Sequence, residues 1–109
     1  MLRQDYVLRL IERAVAALSK ALGLMAQGQL TKSQAALRAA YDAVVRVDRD
    51  MLENLDPRTL APLLGPEEVV RVVARIFAAE GDLHERMNDP DRASKLWRRG
   101  EDASHFLDI

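Results

Sequence analysis

Apolar residues recur at every third or fourth position through almost the whole chain, a spacing that a helix gathers onto one face and a strand does not. From Val7 the pattern runs Val7, Ile11, Val15, Leu18, Leu22 and Met25, with a second stripe, Leu10, Ala14, Ala17, Ala21 and Leu24, beside it. So wide an apolar surface predicts a first helix that touches more than one neighbour, and Gly28 supplies a left-handed stop. A second helix, capped by Thr31 or Ser33, carries Leu37, Ala40, Val44, Val47 and Met51 and is expected to end near Leu55. Asp56 followed by Pro57 opens a short helix over about 57–64, which Gly65 and Pro66 terminate. Glu67 and Glu68 favour the positive end of a third long helix, which runs through Val69, Val73, Ile76, Phe77 and Leu83 toward Met87. After a turn at Asn88, Asp89 and Pro90, a last helix from about Asp91 bears Ala93, Leu96, Trp97, Gly100, Ala103 and Leu107.

Long helices joined by short turns lie antiparallel, so the pattern predicts an all-α chain of two helical hairpins. The first covers about 4–55 and the second about 67–108, with the short helix between them. A length of 109 residues with 49% hydrophobic residues suits one domain around one core. The 16 basic and 17 acidic residues nearly cancel, which withholds the positive field that nucleic-acid binding relies on. The absence of Cys excludes disulfides, thiolate metal sites and cysteine nucleophiles. Charges at Arg3, Asp5, Arg9, Glu12 and Arg13 interrupt the apolar run that a signal peptide needs, and no stretch approaches the about 18 apolar residues of a membrane helix. The expectation is therefore a cytoplasmic protein with no membrane segment.

The two halves repeat. Shifted by about sixty residues, Ala17, Ala21, Leu24, Gly28, Ser33, Leu37 and Ala40 fall on Phe77, Gly81, His84, Asn88, Ala93, Trp97 and Gly100. Small residues at 21/81, 33/93 and 40/100 let helix backbones approach, and 37/97 places a large side chain, expected to be buried, beside them. Gly28 and Asn88 are the residue types most tolerant of positive φ. This pattern resembles the tetratricopeptide repeat. Phe77, Gly81, Ala93 and Trp97 fit it directly, whereas Glu80, His84 and Gly100 stand where that repeat has Leu, Tyr and Ala. Taken whole, the chain also resembles a bacterial family of unassigned function that opens with Asp-Tyr-x-x-Arg-x-Ile-Glu, here Asp5, Tyr6, Arg9, Ile11 and Glu12. That resemblance implies a fold and brings no functional residues with it.

Three clusters carry possible chemistry. Glu80 and His84, four apart on one helix face, could place two metal ligands together, but a site needs a third, and His84 stands at a packing position of the repeat. No metal or other cofactor is expected. Arg92, Lys95, Arg98 and Arg99 surround Trp97 and could bind phosphate, nucleic acid or an acidic peptide, although Asp89, Asp91, Glu101 and Asp102 make the same stretch an ordinary solvated face. Asp5, Tyr6, Arg9 and Glu12, with Arg13, form a polar patch whose charges can pair along the first helix. The residues singled out for partner binding are Asp5, Tyr6, Arg9, Glu12, Arg92, Lys95 and Arg99.

Catalytic signatures are missing: no nucleophile elbow, no Gly-rich phosphate loop and no DxDxDG calcium loop occurs. The reading is a non-enzymatic scaffold or adaptor that binds an unidentified protein or peptide on a shallow helical face. Two hairpins leave apolar surface to cover, and Phe106, Leu107 and Ile109 suggest a homodimer that covers it. The alternatives are a helical bundle that binds a metal or small ligand and an RNA-binding helical repeat.

Overall fold

The computed structural model describes residues 2–105, with side chains from residue 5 onward. They form six helices: α1 (Leu2–Ala26), α2 (Leu30–Val44), α3 (Arg49–Glu53), α4 (Pro57–Leu64), α5 (Glu67–Arg86) and α6 (Pro90–His105). No strand occurs among the described residues, so the fold is all-α. The most extensive contacts join chain neighbours, α1 with α2 and α5 with α6. Contacts of α5 with α2 and α1 unite the two pairs, and α4 rests on α6 and α5. No helix among the described residues is long and apolar enough to cross a membrane.

The connections after α1 and α5 are the same turn, sixty residues apart. Gly28 has φ 76° and Asn88 has φ 63°. At the first turn the Gln29 amide donates to Leu24 O at 2.9 Å and the Gly28 amide to Met25 O at 3.0 Å. At the second, the Asp89 amide donates to His84 O at 2.9 Å and the Asn88 amide to Glu85 O at 3.1 Å. Each pair of bonds closes the last carbonyls of a helix around a left-handed residue, the arrangement that glycine and asparagine favour at this place. At these two turns the backbone follows the correspondence that Gly28 and Asn88 suggest.

Small residues bring the paired helices together. Ala21, Ser33 and Ala40 are buried between α1 and α2, and Gly81, Ala93 and Gly100 are buried at the matching positions of α5 and α6. A Cβ added to Gly100 would lie 3.1 Å from Ala74 O, and one added to Gly81 would overlap the Trp97 indole. Phe77, Ile76, Leu83, Leu18 and Leu37 fill the interior. Trp97 departs from the expected burial: Leu37 is fully enclosed, but Trp97 is only half-buried and its Nε1 donates to Asp82 Oδ1 at 3.0 Å. An indole carries a polar N–H that needs an acceptor, and Asp82 supplies it at the surface.

The second long helix is shorter than its apolar stripe predicts. It ends at Val44, and the chain runs extended through Val45 (φ −114°, ψ 130°) before the Asp48 carboxylate accepts from the Met51 amide at 3.3 Å and starts α3. Val44, Val45 and Val47 are β-branched and weaken helix continuation, and Asp48 offers the backbone a competing cap. The break shifts the register, so Leu52 is buried while Met51, expected in the stripe, is exposed. The expected caps at Thr31 and Ser33 are also corrected. Gln29 precedes α2 without a side-chain cap, and Ser33, inside the helix and fully buried, donates to Ala21 O at 2.7 Å across to α1.

The short helix expected over about 57–64 forms as α4: the Asp56 carboxylate accepts from the Arg58 amide at 2.9 Å, Pro57 takes the first position and Gly65 follows the last. The final helix begins at Pro90, which the turn was expected to hold, with Asp89 accepting from the Arg92 amide at 3.2 Å. Proline needs no amide partner at a first helical position. Phe106, Leu107 and Ile109, on which the homodimer expectation rests, lie outside the described residues.

The contact at Gly81 generates a test. Gly81→Ala should force the indole from its place, break the bond to Asp82 and destabilise the chain by about 1–2 kcal/mol, an overpacking cost reduced by alanine's better helix propensity. Because Trp97 is the only tryptophan, urea unfolding followed by its fluorescence reads both the stability and the altered surroundings of the indole.

Candidate binding site

The site begins with α3. Its first residue, Arg49, stands one turn before Glu53, and the guanidinium lies 4.8 Å from the ring centroids of both Tyr41 and Phe77. Those rings meet edge to face with centroids 6.5 Å apart. Arg49 Nη2 donates to Glu80 Oε1 and lies 3.5 Å from Glu53 Oε1. Glu53 also accepts from Arg92 Nη2 at 2.6 Å, while Arg99 Nη2 donates to the Glu53 carbonyl oxygen at 2.5 Å. One chain of charges therefore links α5 through α3 to α6. Cations held over aromatic faces and paired with carboxylates out of water interact far more strongly than surface pairs.

Burial acts on each charge. It pushes the Glu80 carboxyl above the usual range, and the Arg49 guanidinium opposes the shift only in part. For Arg49 the same burial works against the cation, but Glu80 and Glu53 outweigh it and hold the group charged. Tyr41 is pushed up to about 12, chiefly by burial and despite the nearby Arg49. Among the described residues, two buried nitrogens, Arg49 Nε and Arg99 Nη1, have no hydrogen-bond partner.

Two pockets flank this network and share Arg92. One, of about 240 Å³, is lined by Gln34, Arg38, Asp48, Asp50, Glu80 and His84, together with Arg49. The other, of about 290 Å³, is lined by Glu53, Asn54, Lys95, Arg98, Arg99 and Asp102, together with Leu96. The fold thus brings two sequence clusters to one region: the Glu80/His84 pair on one side of Arg92, and Lys95, Arg98 and Arg99 on the other. The Glu80 carboxylate is engaged by Arg49, and among the described residues no group of three His, Cys, Asp or Glu is arranged to hold a metal.

Asp5, Tyr6, Arg9 and Glu12 are exposed on α1 and line neither pocket. Among the described residues the ion pairs lie elsewhere, so the expected pairing of Asp5, Arg9, Glu12 and Arg13 is not formed. Exposed charges on a helix gain too little from pairing to give up their hydration and freedom. Tyr6 instead accepts from Arg46 Nη2 at 3.4 Å. Arg49 and Glu53, the centre of the site, were not singled out in the sequence. The signal available for them was local: Asp48 as a cap with Arg49 and Glu53 four apart behind it.

A different surface lies outside α5 and α6. A groove of about 870 Å³ has Ala74, Ala78, Trp97, Gly100 and Ser104 in its lining, with Arg71, Arg75, Glu101 and His105 among them. A smaller hollow of about 210 Å³ shares Arg75 and Ala78 with it and reaches Leu18 and Leu22 of α1. Together they make one trough across three helices.

Comparison of the chain with models of known protein families, with curated proteins and with solved structures finds no match in any of the three. The geometry alone carries the functional reading.

Two predictions follow from the network. Removing one member of a buried pair strands the other, so Glu80→Ala should cost about 3–5 kcal/mol in urea unfolding. The double variant Arg49→Met with Glu80→Leu, which replaces both charges by apolar side chains, should recover most of that loss. The second concerns alkaline pH. Because the folded-state pKa of Tyr41 lies near 12, above the ordinary 10.0, the stability it contributes is complete below about pH 10 and is lost as pH rises toward 12. Wild type should lose about 2–3 kcal/mol over that window, and Tyr41→Phe should remove this component of the loss.

Proposed function

We propose that this chain is a non-enzymatic protein-interaction scaffold. In this reading α1–α2 and α5–α6 are antiparallel hairpins of tetratricopeptide type, joined by α3 and α4. The two matching turns and the small residues at matching positions support it. The observation that carries the interaction role is the trough, whose lining combines the small residues Ala74, Ala78 and Gly100 with the charged Arg71, Arg75 and Glu101. Side-chain ridges of a helix seat in grooves of this kind, so the occupant we propose is an amphipathic helix of another protein. Leu22, 43% exposed, extends the apolar strip onto α1 where such a helix would end.

Ala78 lies exposed at the junction of the groove and the hollow, so its substitution leaves the interior untouched. Ala78→Glu should shift stability by no more than about 0.5 kcal/mol, the range of ordinary surface changes. A photo-crosslinker at position 78, but not at exposed Ser94, should capture one partner from extract of the native cell. Ala78→Glu, with the crosslinker moved to position 101, should lose that partner. Equal capture from positions 78 and 94, or capture that survives Ala78→Glu, would remove the trough as the binding face.

A further inference from the structure

The two pockets beside Arg92 differ in charge. In the pocket toward α2, Asp48, Asp50 and Glu80 outnumber Arg38 and Arg49, and the shared Arg92 is paired with Glu53 on the other side. In the pocket toward α6, Arg92, Lys95, Arg98 and Arg99 face only Glu53 and Asp102, which leaves a surplus of two positive charges. Glu53 is moreover engaged from both sides, by Arg92 at 2.6 Å and Arg49 at 3.5 Å. The surplus therefore falls on Lys95, Arg98 and Arg99. Among the described residues, neither Lys95 nor Arg98 has a hydrogen-bond or ion-pair partner.

Arg99 is already fixed in place. Its Nη2 donates to the Glu53 carbonyl oxygen, its side chain is 13% exposed, and its Nη1, 3.6 Å from Asp102, makes no hydrogen bond. Lys95 stands three or four residues from each of Arg92, Arg98 and Arg99 on α6, a spacing at which like charges repel one another and weaken the helix slightly. An anion in the pocket reverses that cost, and guanidinium forks match the oxygens of a phosphate or carboxylate.

We propose that this pocket binds a phosphomonoester dianion. A surplus of two charges is balanced by a phosphomonoester, which carries about −1.5 to −2 near neutral pH, and not by a single carboxylate. A volume of about 290 Å³ accepts a phosphate with a small group attached. The phosphomonoester can belong to a free small molecule or to a phosphorylated side chain of another protein. The site is separate from the trough, so either can fail without the other.

The test is titration of the purified full chain at low ionic strength with inorganic phosphate, O-phosphoserine and a short phosphoserine peptide, followed by thermal unfolding and amide NMR. Sodium chloride at matched ionic strength is the reference. Phosphate should raise the melting temperature saturably, beyond the effect of chloride, with shifts concentrated at residues 92–102. Lys95→Gln with Arg98→Gln, both exposed and unpaired, should fold as wild type and weaken binding by roughly tenfold or more. Tighter binding of the peptide than of O-phosphoserine assigns the group to a partner protein; equal binding assigns it to a small molecule. A phosphate response equal to that of chloride, or unchanged in the double variant, would overturn the proposal.

Discussion

A single guanidinium, Arg49, determines how the short helix in the middle of the chain is held. It is flanked by the rings of Tyr41 and Phe77 and paired with Glu80, so it takes contacts from α2 and α5 at once. Glu53, one turn on, passes the connection to Arg92 and Arg99 of α6. The first helix pair and the second have only modest direct contact, mostly α5 against α2 and α1. A charged network in this place costs desolvation that an apolar plug would not, and its return is orientation: each guanidinium has few ways to satisfy its donors. α3 is held by these bonds and by Leu52, which is fully buried.

Much of the fold was legible because it depends on short-range rules. Helix periodicity, the Asp56–Pro57 start, the acidic first turn at Glu67 and Glu68 and the left-handed residues Gly28 and Asn88 each act within one or two turns of chain. The sixty-residue correspondence was legible for the same reason, since a matching turn needs a residue tolerant of positive φ and matching close approaches need small ones. What failed was the stretch from Val44 to Leu55, where the apolar spacing continues although the helix does not. Periodicity cannot register a break after which apolar residues keep recurring at three- and four-residue spacing. Three β-branched valines and the capping Asp48 were the stronger evidence, and they oppose the spacing.

The site was legible in pieces. Glu80 with His84, and Arg92 with Lys95, Arg98 and Arg99, stand out because charges or ligands cluster at helical spacing. Their meeting at Arg92 is a tertiary fact, created by α3, whose Arg49 reaches Glu80 of α5 and whose Glu53 reaches Arg92 of α6. Arg49 and Glu53 look in sequence like any exposed pair four apart, and only the Tyr41 and Phe77 rings make them a buried one. Ser33 shows the opposite case. It has the residue type of a helix cap, but its counterpart, Ala93, reveals that the position requires small size, and the hydroxyl is satisfied by Ala21 O.

α6 presents three distinct faces. Ala93, Leu96, Gly100 and Ala103 face the core; Arg92, Lys95, Arg98, Arg99 and Asp102 line the charged pocket; Trp97, Glu101 and Ser104 line the trough, which Gly100 also borders. Coupling between pocket and trough would require α6 to move against α5, because two sites influence one another only through an element whose position both of them bias. The packing opposes such movement. Gly100 leaves its backbone close to Ala74 O, and Trp97 lies over Gly81 with its N–H tied to Asp82, so α6 has little freedom to slide along α5. An anion in the pocket acts on α3 and α6, whereas a helix in the trough acts on α5, α6 and α1. With α5 and α6 locked together, occupants of the proposed pocket and trough would meet a rigid body, and their binding energies would add independently.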